Sequence, residues 1–392
     1  MTTRTRVLVL LVAALAAAAV AVASLLRMLV PEFLASLPTS LAGRLGHGVE
    51  LAVALTGALA VLVVALLALA AERSAQVAVS PAAQVAVRPA AQVAVRPAAQ
   101  VAVRPAALRG VALLAGLLLA VTTPGGVIPA AGYTFAMAVV VGGTVFIVLT
   151  VLRRPWLGIL LAVVVGGILT HAVVNLGAAS IPVRLVGGYA AVLPLVSLAL
   201  GHVMAASGLL VWAVTDARSA IGPVGGFVLR HRVAITVVAA ACALPYALAR
   251  ASWLTPWPLF GGSAELFAEE PSMLVTGLML GTGMLMGGVL TLGLVLPWGR
   301  RFPRFLAGLG GRDVPLALAV IPASIVSVLF TAAGVEFAIE GVGPAKEGLY
   351  LLLMFPFWLW GPLLGLAAWG YAMHRRQQAE VAAPIPGVPV SA

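Results

Sequence analysis

Nine stretches of 17 or more residues in this chain contain no Asp, Glu, Lys or Arg. They run Val7–Leu26, Leu51–Ala71, Gly110–Leu152, Pro155–Val183, Leu185–Thr215, Val233–Ala249, Pro271–Gly299, Val314–Val335 and Gly348–Met373. A helix crosses a hydrocarbon core of about 30 Å with roughly 20 apolar residues. The run Gly110–Leu152 has 43 residues, and a single helix of that length would reach about 65 Å. It carries Thr122-Thr123-Pro124-Gly125-Gly126 near its middle, a strong turn signal. Splitting it there predicts an all-α polytopic membrane bundle of about ten transmembrane helices. The spans fall near 7–26, 50–71, 109–123, 130–152, 156–178, 188–214, 232–250, 272–297, 314–335 and 348–373.

The arginines test that count. Cytoplasmic flanks of membrane helices collect positive charge. With ten spans and a cytoplasmic N-terminus, 18 of the 23 basic residues fall inside; Arg27, Arg44, Arg184, Arg250 and Lys346 fall outside. Reading Gly110–Leu152 as one crossing would invert everything from Arg153 onward. Both termini are therefore expected in the cytoplasm, in the plasma membrane of a bacterium. The first span also resembles a secretory signal ending at Ala21-Val22-Ala23. At about 20 residues it is longer than the usual 7–15 of such a segment, which favours an uncleaved helix.

Composition closes other classes. Only 9% of residues are charged and the mean hydropathy is +1.13, against about 25% charged in soluble domains. A soluble enzyme, a secreted domain and a disordered protein are excluded. The net charge of +11 sits at span ends, as the membrane rule requires, so no nucleic-acid partner is expected.

Residues 74–108 form the expected cytoplasmic loop, with four copies of an octapeptide such as Gln84-Val-Ala-Val-Arg-Pro-Ala-Ala91. A proline in each copy makes a poor helix and a poor interior strand, so a flexible, dispensable loop is expected. Residues 374–392 are expected to be a disordered tail. The inner loop after the eighth span carries Arg300, Arg301, Arg304 and Arg312 beside Trp298 and Phe302. Arginine beside aromatic rings at a membrane edge suits anionic lipid headgroups, and a topology determinant needs nothing more. The lipid bilayer, with such headgroups as candidate contacts, is the expected partner.

Trp298-Gly-Arg, Phe302-Pro-Arg and Gly311-Arg-Asp-Val-Pro315, ahead of a helix holding Pro322, resemble a family of uncharacterised actinobacterial multi-pass membrane proteins. Leu244-Pro-Tyr-Ala-Leu-Ala-Arg-Ala-Ser-Trp253 is similar to the same family. The resemblance covers about residues 230–340 and implies no activity.

Motifs of soluble chemistry are absent: no phosphate loop, no His-Glu-x-x-His and no paired cysteines, with Cys242 alone. No catalytic residue, metal site or cofactor is evident. Glu269 and Glu270 precede Pro271 and suit the start of a helix. Inside the spans, His171 and Asn175 share a face four residues apart, and His202 lies on the next helix at similar depth. Such residues mark an intramembrane polar site or one interhelical hydrogen bond. Gly277, Gly281, Gly283, Gly287 and Gly288 permit close helix approach, for static packing or for sliding. The reading leans to transport of a small molecule or ion. A non-catalytic envelope or membrane-complex component is the alternative, and a membrane-embedded enzyme acting on lipid or isoprenoid comes third.

Overall fold

The computed structural model describes residues 1–30, 40–79, 105–175, 178–215, 222–304, 310–341 and 346–382, with residues 32, 37 and 38. The octapeptide copies from residue 80 to 104 and the tail from 383 lie outside the described residues. In chain order the helices are α1 (Thr3–Leu29), α2 (His47–Val79), α3 (Pro105–Val121), α4 (Val127–Arg153), α5 (Pro155–Asn175), α6 (Ile181–Thr215) and α7 (Pro223–Arg230). There follow α8 (Arg232–Ala241), α9 (Leu244–Ala251), α10 (Ala264–Glu269), α11 (Pro271–Leu292), α12 (Leu316–Gly341), α13 (Lys346–Met354) and α14 (Phe357–Ala382). The protein is an all-α polytopic membrane bundle. Among the described residues nine helical segments are long and apolar enough to cross a membrane, and a shorter apolar helix covers Gly110–Val121.

Boundaries follow local chemistry. The long uncharged run does divide, with α3 ending at Val121 and α4 starting after Gly126, whose φ of 72° is one that glycine adopts without strain. Helix α2 continues at least to Val79, eight residues past the expected span end. Helix α14 runs to Ala382 through Arg375-Arg-Gln-Gln-Ala-Glu380, all good helix formers, so the segment expected as a tail from 374 is helical at its start. The span at 232–254 tightens where α8 passes into α9: Cys242 and Ala243 keep right-handed helical dihedrals and bond to carbonyls three or four residues back, with Pro245 in the first turn of α9. Glu270 takes the N-cap position of α11 without a side-chain capping bond, so its carboxylate can act there only through the helix dipole.

Two compact units divide the chain. The first comprises Met1–Ala35, Thr39–Thr123 and Leu200–Gly226, and the second Ser36–Pro38, Pro124–Ala199 and Phe227–Ala392. In the first, α1 and α2 form an antiparallel hairpin. Its buried faces repeat at alternating three- and four-residue steps: Leu10, Ala13, Ala17, Val20, Ser24 and Arg27 on α1, and Leu51, Ala54, Ala58, Val61, Ala65 and Ala68 on α2. That spacing is the seam of an antiparallel coiled coil. An ion pair closes each end. Arg6 Nη1 lies 3.1 Å from Glu72 Oε1, and Arg27 Nη1 lies 3.7 Å from Glu50 Oε1. The two arginines are separated by about 32 Å of helix, close to the hydrocarbon thickness of about 30 Å. The pairs therefore belong at opposite membrane edges. The C-terminal half of α6 packs on α1 through Gly208, where a Cβ would lie 2.6 Å from that of Ala13.

In the second unit α12 and α14 are the most intimately packed pair, and they run antiparallel. Gly334 meets the backbone of Trp358, Thr331 meets Gly361, and Ser327 meets Gly365. Ser327 Oγ donates to the Gly361 carbonyl at 2.7 Å. Ser324, Val320, Ala368 and Ala372 continue the same seam, each at most 1% exposed. The glycine-dense α11 packs just as tightly on α8 and α9. A Cβ at Gly277 would collide with the Trp253 ring, one at Gly281 would lie 2.6 Å from Arg250 Cβ, and one at Gly288 would lie 2.8 Å from Ala243 Cβ. In this structure the glycine face is filled by neighbours, as static packing requires. Trp253, at the outer end of its span, is turned inward at 6% exposure and donates its Nε1–H to the Leu259 carbonyl. Trp257 keeps the exposed position. Outside the spans, Ser263 caps α10, and backbone and Ser263 hydrogen bonds hold the Glu265 carboxyl below the usual carboxylate range.

Candidate functional site

The polar residues expected inside the membrane are placed as follows. His171 and Asn175 are together on α5, with His171 Nδ1 and Asn175 Nδ2 3.0 Å apart. An amide N–H is a donor only, so the ring nitrogen is the acceptor in this contact. Both side chains are exposed on the helix surface. His202 is 3% exposed and belongs to the first unit, whereas His171 belongs to the second.

The inner-loop arginines divide into two groups. Arg301 pairs with Asp313 at 3.2 Å, with both side chains more than two-thirds exposed, and Arg304 and Arg312 are exposed as well. Backbone bonds hold the two edges of this loop together: Phe302 N–H donates to Arg312 O, and Val314 N–H to Arg300 O. Arg300 is half-buried and faces a different set of residues. Tyr371 donates its hydroxyl proton to Gly299 O at 2.9 Å, while Arg375 donates to Arg300 O, Val314 O and the Tyr371 hydroxyl. One turn of α14 is thus fastened to the loop through main-chain carbonyls. Gly370, on that turn, admits the first residue of α8, since a Cβ there would lie 3.2 Å from Arg232 Cβ. Arg232, Arg300 and Arg375 all bear electrostatically on His374. Of these four residues, the sequence reading singled out Arg300 alone. The signal for the others was present, because Arg232 and Arg375 flank spans assigned to the same side.

A second constellation lies where one span of this unit is interrupted, at Phe355-Pro356 between α13 and α14. Tyr246, in the first turn of α9 just past the tightened turn at Cys242-Ala243, packs on Phe355 with ring centroids 4.7 Å apart, so the start of α9 meets that interruption. Phe355 continues into Phe337, Phe357, Phe330 and Trp360 as an aromatic row. The Arg250 guanidinium lies over the rings of Trp253 and Tyr246, at 4.1 and 4.8 Å from their centroids, a favourable cation–π arrangement. Cys242 lies ten residues into its span from Arg232, about 15 Å at helical rise and hence near the middle of the membrane. Among the described residues no group of three His, Cys, Asp or Glu side chains gathers as a metal site.

Compared with protein-family models, with curated proteins and with solved structures, the chain matches none of them. The class of protein therefore rests on the fold, a multi-pass helical membrane protein.

Proposed function

We propose that this protein carries a small molecule or ion across a bacterial plasma membrane, with the second unit as its working part. One observation carries the reading: a span interrupted at Phe355-Pro356 meets its neighbour through Phe355 and Tyr246, beside a guanidinium held over aromatic rings. Irregular backbone at membrane depth is tolerated where protein buries it or a cavity lines it, and discontinuous helices recur at the binding sites of transporters.

The test begins with compounds that co-purify in mild detergent, identified by mass spectrometry. Liposomes containing the protein are expected to take up such a compound faster than protein-free liposomes, and Tyr246→Ala is expected to slow that uptake. Equal uptake by protein-free liposomes would contradict the proposal.

A second reading, a component of a larger membrane assembly, is favoured by the α4–α5 hairpin. None of the most apolar window of α4 is buried, and 6% of that of α5. Gly142, Gly143, Gly166 and Gly167 have no atom within 4 Å of a would-be Cβ. Such faces accept either lipid or another helix.

A further inference from the structure

Among the described residues no carboxylate pairs with Arg232, Arg300, His374 or Arg375, whereas Arg6 pairs with Glu72, Arg27 with Glu50 and Arg301 with Asp313. Three guanidinium groups and an imidazole therefore share one end of the second unit, and Arg300 acts on Arg232 as well as on His374. Repulsion of this kind favours an anion between the groups.

The arrangement is built and does not depend on loose surface chains. Arg375 is committed to main-chain carbonyls and Tyr371 to Gly299 O, which fixes the loop carrying Arg300 against α14. Gly370 seats Arg232 one turn away from His374. Among the described residues, that leaves the guanidinium groups of Arg232 and Arg300 without a hydrogen-bond partner. His374 Nε2 is buried and likewise has no partner. Two planar forks and a ring nitrogen offer several N–H donors to one group of oxygens, the chemistry that recognises a phosphate ester. The site lies at the end of its spans that the arginine count assigns to the cytoplasm, where a bilayer presents anionic headgroups.

We propose that Arg232, Arg300 and His374 bind the phosphate of an anionic phospholipid headgroup, with Arg375 and Tyr371 positioning Arg300. This inference is independent of the transport reading. It extends the expected lipid contacts from the loop alone to a site formed by α8, α14 and the loop.

The full chain, purified in mild detergent, is offered equal amounts of phosphatidylglycerol and phosphatidylcholine, and the retained lipid is counted by native mass spectrometry. Phosphatidylglycerol is expected to be retained preferentially. Arg232→Gln and His374→Gln are each expected to weaken its retention about tenfold, while Arg232→Lys, which keeps the charge but not the fork, falls between. Arg301→Gln, outside the cluster, is expected to retain it as the unmodified protein does. Folding of each variant is checked by its elution as a single species. Equal retention of both lipids would overturn the proposal, as would equal losses in the Arg232 and Arg301 variants. Displacement of the lipid by millimolar inorganic phosphate would overturn the assignment to a lipid headgroup.

Discussion

The α1–α2 and α12–α14 hairpins solve the same problem with different materials. Each must hold two antiparallel spans together in lipid, where apolar burial gives no preference for a helix neighbour over a lipid tail. The first hairpin meets through side chains, a seam of Ala, Val and Leu, and closes at each edge with an ion pair. In the second the helices come into backbone contact at Gly334 and Gly361, helped by the Ser327 hydrogen bond. The difference teaches where each is vulnerable. Ion pairs at the edges fix the register of the first, while the absence of side chains in the middle fixes the second.

The largest expected effect tests the buried edge of the first hairpin. Glu50 is 1% exposed, and its Oε1 also accepts the Ser40 N–H at 3.3 Å. Glu50→Leu leaves Arg27 buried without its carboxylate and is expected to cost about 3 kcal/mol of stability. Denaturation in mixed micelles measures it. The double variant Arg27→Leu/Glu50→Leu should recover most of the loss, because removing both charges removes the desolvated orphan. A double variant as unstable as the single one would show that the pair does not set the register.

A middle effect tests the second hairpin. Gly361→Leu places a side chain where a Cβ alone would already collide with Thr331, and overpacking of this kind costs about 2 kcal/mol. The same substitution at the exposed Gly166, with open space around it, is expected to be silent in the same assay. The smallest effect sharpens the comparison. Ser327→Ala removes one intramembrane hydrogen bond, expected at about 0.6 kcal/mol. A loss several times larger would mean that the hydroxyl, and not close backbone contact, holds this hairpin together.

The sequence made the spans legible because each is a physical length of uncharged chain, and the turn at Thr122–Gly126 could be read from its residue types. Edges and meetings were harder. Arg27 counted only as an outward charge, and nothing in its neighbourhood announced Glu50 as its partner across the loop. The tightened turn at Cys242-Ala243 left a trace in Pro245, which cannot donate to the preceding turn. The approach of Arg232 to His374 depends on Gly370, whose role exists only once α8 and α14 are packed. His171 and Asn175 could be paired from their four-residue spacing, since one helix sets their geometry. A relation to His202 needs tertiary structure that spacing does not supply.

The claim that the 232–254 span borders a pathway is open to a direct measurement, because Cys242 is the single cysteine of the chain and lies at the tightened turn between α8 and α9. It is 7% exposed in this structure, so a water-soluble reagent reaches it only when its surroundings open to water. Membranes containing the folded protein are treated with a charged methanethiosulfonate that does not cross bilayers, and the modified fraction is followed by mass spectrometry. Progressive modification of Cys242 is expected in the folded protein, slower than in protein unfolded by detergent. A thiol that stays unmodified in the membrane, while the unfolded protein reacts fully, would contradict it.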